Sequence, residues 1–112
     1  MPPRDWQLRI RDILESIAAI REYVAGMDHE AFRLDRKTVD AVVRRLTIIG
    51  EAARNVPLSI SDAHPEVPWR QMRDIRNIVV HAYFGVRLDI LWGTVKDDLP
   101  PLVPILEDLL KS

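Results

Sequence analysis

PWRQMRDIRNIVVHAYFG, residues 68–85, is the stretch on which the fold turns. Its centre, Ile78-Val79-Val80, favours a strand on propensity alone. The stretch nevertheless enters that centre in helical phase, with Trp69, Met72, Arg76, Val79, Val80 and Tyr83 on one face at a period of about 3.6 residues. No other segment reads as a strand that could pair with it. Residues 68–85 are therefore expected as a helix. Pro68 opens it, where a missing N–H has no partner to lose, and Gly85 closes it.

The flanking segments carry the same period. From about Asp5 to Ala25, the residues Trp6, Ile10, Ile13, Ile17, Ile20 and Val24 draw one apolar stripe, and Gly26 supplies the stop. Asp28 is placed to cap a short turn through Phe32. A second long helix begins near Asp35 or Lys37. Its stripe is Val39, Val42, Val43, Leu46, Ile49, Ala53 and Val56, and Asp40 and Arg44 are spaced to pair on its outer face. Pro57 ends that helix around Asn55. Residues 57–68, PLSISDAHPEVP, then read as a connecting loop. Beyond Gly85 a fourth helix begins near Leu88, with Leu88, Trp92, Val95, Leu99, Leu102, Leu106 and Leu109 in phase. That phase runs through Pro100 and Pro101, so the helix is expected to kink or restart with Asp98 as its cap, and Pro104 adds to the bend. The expected architecture is all-α, a bundle of four main helices in one domain spanning 1–112, its C-terminal helix kinked.

Composition narrows the function classes. The 112 residues contain no cysteine, which excludes a disulfide framework and a cysteine metal site. The start MPPRDWQLRIRD lacks the apolar core of a secretory leader. No apolar run approaches the length needed to cross a bilayer, so a cytoplasmic location away from membranes is expected. A net charge of −1 argues against a broadly basic nucleic-acid coat. The charge is uneven, however: residues 33–76 hold 9 basic and 6 acidic side chains, and 13 of the 16 basic residues are arginine. Arginine suits phosphate through its bidentate fork, although solvated helix faces explain most such charge.

Within the deciding stretch, Arg76, Asn77, His81 and Tyr83 sit among apolar residues. A buried, unpaired guanidinium costs several kcal/mol or more. Arg76 must therefore meet a carboxylate, open into a cleft or face a partner. Asn77 and His81, at i and i+4, are neighbours on one face. Arg76 and His81 lie about 140° apart on an ideal helix. Serving one site together requires either a distorted helix end or a second copy across a two-fold axis.

The sequence R-N-I-V-V-H-A-Y resembles the R-x4-H-x-Y signature of HepT-type HEPN proteins. The likeness extends to IIGEAARNVP at 48–57, HPEVPW at 64–69 and YFGV–LDILW at 83–92, covering roughly 35–102. It implies a HEPN-type bundle, a symmetric homodimer and an endoribonuclease toxin that needs neither metal nor cofactor and leaves 2′,3′-cyclic phosphate ends. His81 would transfer protons, Arg76 would bind phosphate and stabilise the transition state, and Asn77 would support them. Tyr83 would be the residue AMPylated by a cognate MntA-like minimal nucleotidyltransferase antitoxin. Glu51 follows Gly50, whose bare backbone admits another helix, and either faces the groove of Arg76 or pairs with a surface arginine.

Each residue also has a plain structural reading. His81 alone fits a helix-end histidine, Arg76 an ion-pair member with Glu51, and Tyr83 a core aromatic with its hydroxyl at the rim. Trp69 and Trp92 read as core anchors. His29 and His64 lack metal-ligand spacing and are assigned nothing. The competing function is a non-catalytic helical partner that presents nucleotide or substrate to a nucleotidyltransferase.

Overall fold

A computed structural model of the chain describes residues 5–85 and 87–111, with backbone alone for residues 81–85. Helix α1, Trp6–Tyr23, starts where the Asp5 carboxylate accepts the Gln7 N–H at 3.1 Å. Its stripe is the one expected, with Ile10, Ile13, Ile17 and Ile20 fully buried and Val24 nearly so. Each such side chain contributes roughly 1.5–3 kcal/mol of burial. The chain turns at Gly26, whose φ of 77° lies in the left-handed region that side chains disfavour. A short helix α2, His29–Leu34, follows with Asp28 as its cap.

Helix α3, Arg36–Arg54, is capped by Asp35, whose carboxylate accepts the Thr38 N–H at 3.1 Å. Val39, Val42, Leu46, Ile49, Ala53 and Val56 are buried as expected, while Val43 packs at the edge of the core. Asp40 takes Arg36 as its partner at 3.9 Å, in place of Arg44. The loop expected over 57–68 contains a helix α4, Leu58–Ala63. Pro57 is its N-cap, so the missing N–H lies outside the helix and does not prevent a turn from forming behind it. Ser61 of α4 is buried and its hydroxyl bonds back to the Leu58 carbonyl at 3.3 Å.

The deciding stretch is helical: α5 runs Trp69–Gly85. Its buried line is Trp69, Met72, Ile75 and Val79, with Val80 47% exposed. The expected line through Arg76 and Val80 is thus corrected by one position. Both Ile75 and Arg76 follow Met72 at helical spacing, and the bundle buries the apolar one and leaves the charge in water. Trp69 is the anchor expected, its indole N–H donating to the His64 carbonyl at 3.0 Å.

The C-terminal helix restarts, as its prolines required. Helix α6, Leu88–Gly93, widens into a π turn at Thr94–Asp98, where Leu99 N–H donates to the Thr94 carbonyl at 3.1 Å. Pro100 and Pro101 offer no N–H to continue α-helical bonding. The wider turn carries the stripe past them, and Val95, Leu99, Leu102, Leu106 and Leu109 are all buried. Helix α7, Leu102–Lys111, then begins afresh. Asp98 belongs to the π turn and is not its cap. Pro104 sits in the first turn of α7, where no intrahelical N–H is needed, so it adds no bend of its own.

The long helices pack in the order α7, α1, α3, α5, with α6 closing against α5 and α2 bridging α3 to α6. The molecule is an all-α bundle, and no helix among the described residues is long and apolar enough to cross a membrane.

Candidate functional site

Helices α3 and α5 pack against each other, and Gly50 of α3 faces Arg76 of α5. A Cβ placed on that glycine would lie 3.4 Å from the Arg76 backbone nitrogen and 3.5 Å from the Arg76 Cβ. Gly50 thus packs against the backbone of Arg76, with room left for little more than a Cβ. Glu51, next along α3, receives the guanidinium: Arg76 Nη1 donates to Glu51 Oε1 at 3.2 Å.

The pair is not buried. The Arg76 side chain is 51% exposed and that of Glu51 50%. An ion pair this open contributes little to stability, in the range of about 0–1 kcal/mol. Glu51 takes only one of the five N–H groups of the guanidinium. Of the three outcomes open to Arg76, the structure combines two: a carboxylate partner and an accessible surface. The Glu51–Arg76 contact is the pairing foreseen for a structural role. Both residues of the pair remain about half exposed to solvent.

Asn77 is exposed on the adjoining face of α5, and Arg73, one turn earlier, is half-buried. His81 lies on α5 one turn beyond Asn77. The side chains of His81 and Tyr83 fall outside the described residues, so their expected roles rest on position alone. The helix itself stays α-helical to Gly85. Arg76 and His81 are therefore about 140° apart around its axis and about 7.5 Å apart along it. Of the two routes by which they could serve one site, a distorted helix end is not taken over this span.

Among the described residues no group of three or more histidine, cysteine, aspartate or glutamate side chains is arranged to hold a metal ion. A second cluster of polar residues was not foreseen. His29, assigned nothing from sequence, stacks on Trp92 with ring centroids 6.1 Å apart and planes 9° from parallel. Phe32 supports the same indole at 5.1 Å, and Lys96 Nζ lies 5.4 Å from its centroid. Trp92 is thus half-buried under charged and aromatic neighbours, more joint than core anchor. Nothing in the local sequence of either residue signals this, because the contact joins α2 to α6 across 63 positions of chain.

The family model described as Ribonuclease HepT-like matches residues 13–109. A Thermococcus cleftensis protein named as a probable ribonuclease HepT is 46% identical over 102 residues, covering 91% of this chain and 93% of that one. A Methanocaldococcus jannaschii protein named as a candidate RNase is 35% identical over 112 residues, 100% of this chain and 93% of that one. A Caldanaerobacter subterraneus protein, also named as a candidate RNase, is 34% identical over 103 residues, 92% of each chain. No solved structure gives a significant match. With a family model covering residues 13–109 and a relative 46% identical along nearly its whole length, the chain belongs to the HepT-like ribonuclease family.

Proposed function

We propose that this chain is a metal-independent endoribonuclease, the toxin of a type II toxin–antitoxin pair, acting as a homodimer. The observation that carries the reading is a half-exposed Arg76 set on α5 five residues before His81, in a chain of a ribonuclease family. RNA carries its own nucleophile. The 2′-hydroxyl attacks the adjacent phosphorus while His81 accepts its proton, histidine being the usual side chain for general-base work at neutral pH. The 5′-oxygen of the next nucleotide leaves and takes up a proton, giving a 2′,3′-cyclic phosphate and a free 5′-hydroxyl. Negative charge builds on the non-bridging oxygens, and a fixed guanidinium stabilises it. Asn77 supports the arrangement from the same helix face as His81.

The angular separation of Arg76 and His81 on a regular helix supports a two-fold arrangement. A second copy brings each Arg76 toward the other copy's His81, so that one groove holds both pairs. Glu51 then acts as a positioning residue, holding the guanidinium in place until phosphate competes for it. A cognate nucleotidyltransferase silences the toxin by transferring AMP from ATP to the Tyr83 phenolic oxygen, with release of pyrophosphate. The added bulk and negative charge repel RNA. Intact mass after incubation with that partner and ATP tests this: an AMP-sized gain lost in Tyr83→Phe is expected, and no gain overturns it.

A second reading has one observation in its favour. Arg76 already has a carboxylate partner 3.2 Å away, as a purely structural residue would in a non-catalytic partner of a nucleotidyltransferase. Expression of this chain alone separates the two readings. Growth arrest abolished by His81→Ala belongs to the toxin, and normal growth belongs to the non-catalytic partner.

A further inference from the structure

Between α2 and α6 lies an open cavity of about 450 Å³ lined by His29, Arg33, Leu88 and Asp89. We infer that this cavity is a slot for a guanine or cytosine base of the RNA strand, a reading that rests on the ribonuclease assignment above. Its chemistry is that of a base reader. His29 offers a flat ring already backed by the Trp92 indole, and Leu88 offers an apolar wall. Single-stranded RNA is recognised by stacking on such planes and by hydrogen bonds to the edges of unpaired bases.

The two charged residues supply the edge contacts, and each is fixed by a neighbour without being used up. Arg33 donates from Nε and Nη2 to Glu30 at 3.3 and 2.7 Å, which leaves its remaining N–H groups for a ligand. Asp89 accepts from Nε and Nη2 of Arg87, both at 3.2 Å, and each carboxylate oxygen keeps a further lone pair. Pairing with Arg87 holds the Asp89 carboxyl below its ordinary value, so it is an acceptor at neutral pH. Arg33 therefore supplies donors and Asp89 supplies acceptors within one cavity. Guanine and cytosine match that pair, with a carbonyl oxygen for Arg33 and an amino group for Asp89. Adenine lacks the carbonyl and uracil the amino group.

The slot is within strand reach of the proposed chemistry. Helical rise from His81 to Gly85 and the greatest reach of three further residues keep the backbones of His81 and Leu88 no more than about 17 Å apart, a span of a few nucleotides. A base held here would set the register of the strand on Arg76 and His81.

The experiment measures binding apart from cleavage. Full-length His81→Ala protein is titrated with fluorescent single-stranded RNAs, one of uridine and adenosine only and others with a single guanosine or cytidine. Asp89→Asn or His29→Ala is added to that background, and GMP and CMP serve as competitors. Tighter binding of the guanosine or cytidine strands is expected, with a loss of about tenfold in either variant, the usual size of one stacked base. His29→Phe keeps the ring and retains binding. Asp89 is exposed, so an unchanged melting temperature for Asp89→Asn excludes a folding defect. Equal affinities for all strands, or unchanged affinity in both variants, overturns the slot. So does binding of GMP or CMP that Asp89→Asn abolishes while RNA affinity is untouched, since the cavity would then serve free nucleotide. RNA bound with base preference by a wild type that never cuts upholds the slot and defeats the ribonuclease reading alone.

Discussion

Replacing Gly50 with valine tests how the fold delivers Arg76 to the surface. A Cβ at this position meets the Arg76 backbone nitrogen at 3.4 Å and the Arg76 Cβ at 3.5 Å, which is ordinary contact. Alanine therefore fits, and its helix propensity exceeds that of glycine by about 1 kcal/mol. Valine adds two γ-carbons that extend about 1.5 Å beyond the Cβ, and in a helix its single favoured rotamer keeps them from both swinging clear. Helix α5 must then back away from α3, and such overpacking costs about 1–3 kcal/mol. In a domain of this size, 1 kcal/mol moves the melting temperature by about 4–8 °C. Thermal and urea unfolding should place Gly50→Ala at or above wild type and Gly50→Val clearly below it. RNA cleavage by Gly50→Val, assayed well below its melting temperature, should also fall, because Arg76 moves with the helix that carries it. A valine variant that melts with wild type and cuts RNA at the wild-type rate would refute the reasoning.

Other expectations follow from single residues. Ser16 is fully buried in α1 with a hydroxyl that finds no partner among the described residues, so Ser16→Ala should gain about 1 kcal/mol in urea unfolding, and a loss of stability would contradict that. Glu51→Gln keeps the shape of the site but loosens Arg76, so cleavage should weaken with little change in melting temperature; unchanged cleavage would leave Glu51 a surface partner only. The Thr38 N–H at the cap of α3 holds the Asp35 carboxyl below its ordinary value. A depressed carboxyl stabilises the fold above its unfolded pKa, and that contribution is lost as pH falls through the folded value. The melting temperature of Asp35→Ala should therefore lie a few degrees below wild type at neutral pH, with the gap closing only below about pH 4. A gap that persists unchanged in acid would place the effect elsewhere.

The long helices were legible because each has a single apolar face. The stripe from Ile10 to Val24 and the one from Val39 to Val56 leave no second way to bury the chain. Legibility failed where two positions met the same period. Ile75 and Arg76 both continue the line from Met72, and only packing against α3 chooses between them. Helix α4 was hidden by Pro57, which breaks a helix from within but caps one from outside. The prolines of the C-terminal segment imply a kink or a restart, and the helix restarts; the π turn at Thr94–Asp98, with Val95 and Leu99 both buried, has no marker in the sequence. At the site, the Glu51–Arg76 pair spans 25 positions and was still foreseeable, because Gly50 marks where two helices touch. The cavity between α2 and α6 carried no such marker, since its residues come from segments far apart in sequence.

The most direct test of the account is cleavage of a labelled RNA pool by the purified protein in excess EDTA, beside Arg76→Ala and His81→Ala. The account predicts that wild type alone cuts, leaving 2′,3′-cyclic phosphate ends, while both variants stay folded and inactive. Folded, unmodified wild-type protein that cuts no RNA, or a His81→Ala variant that cuts as well as wild type, would contradict it.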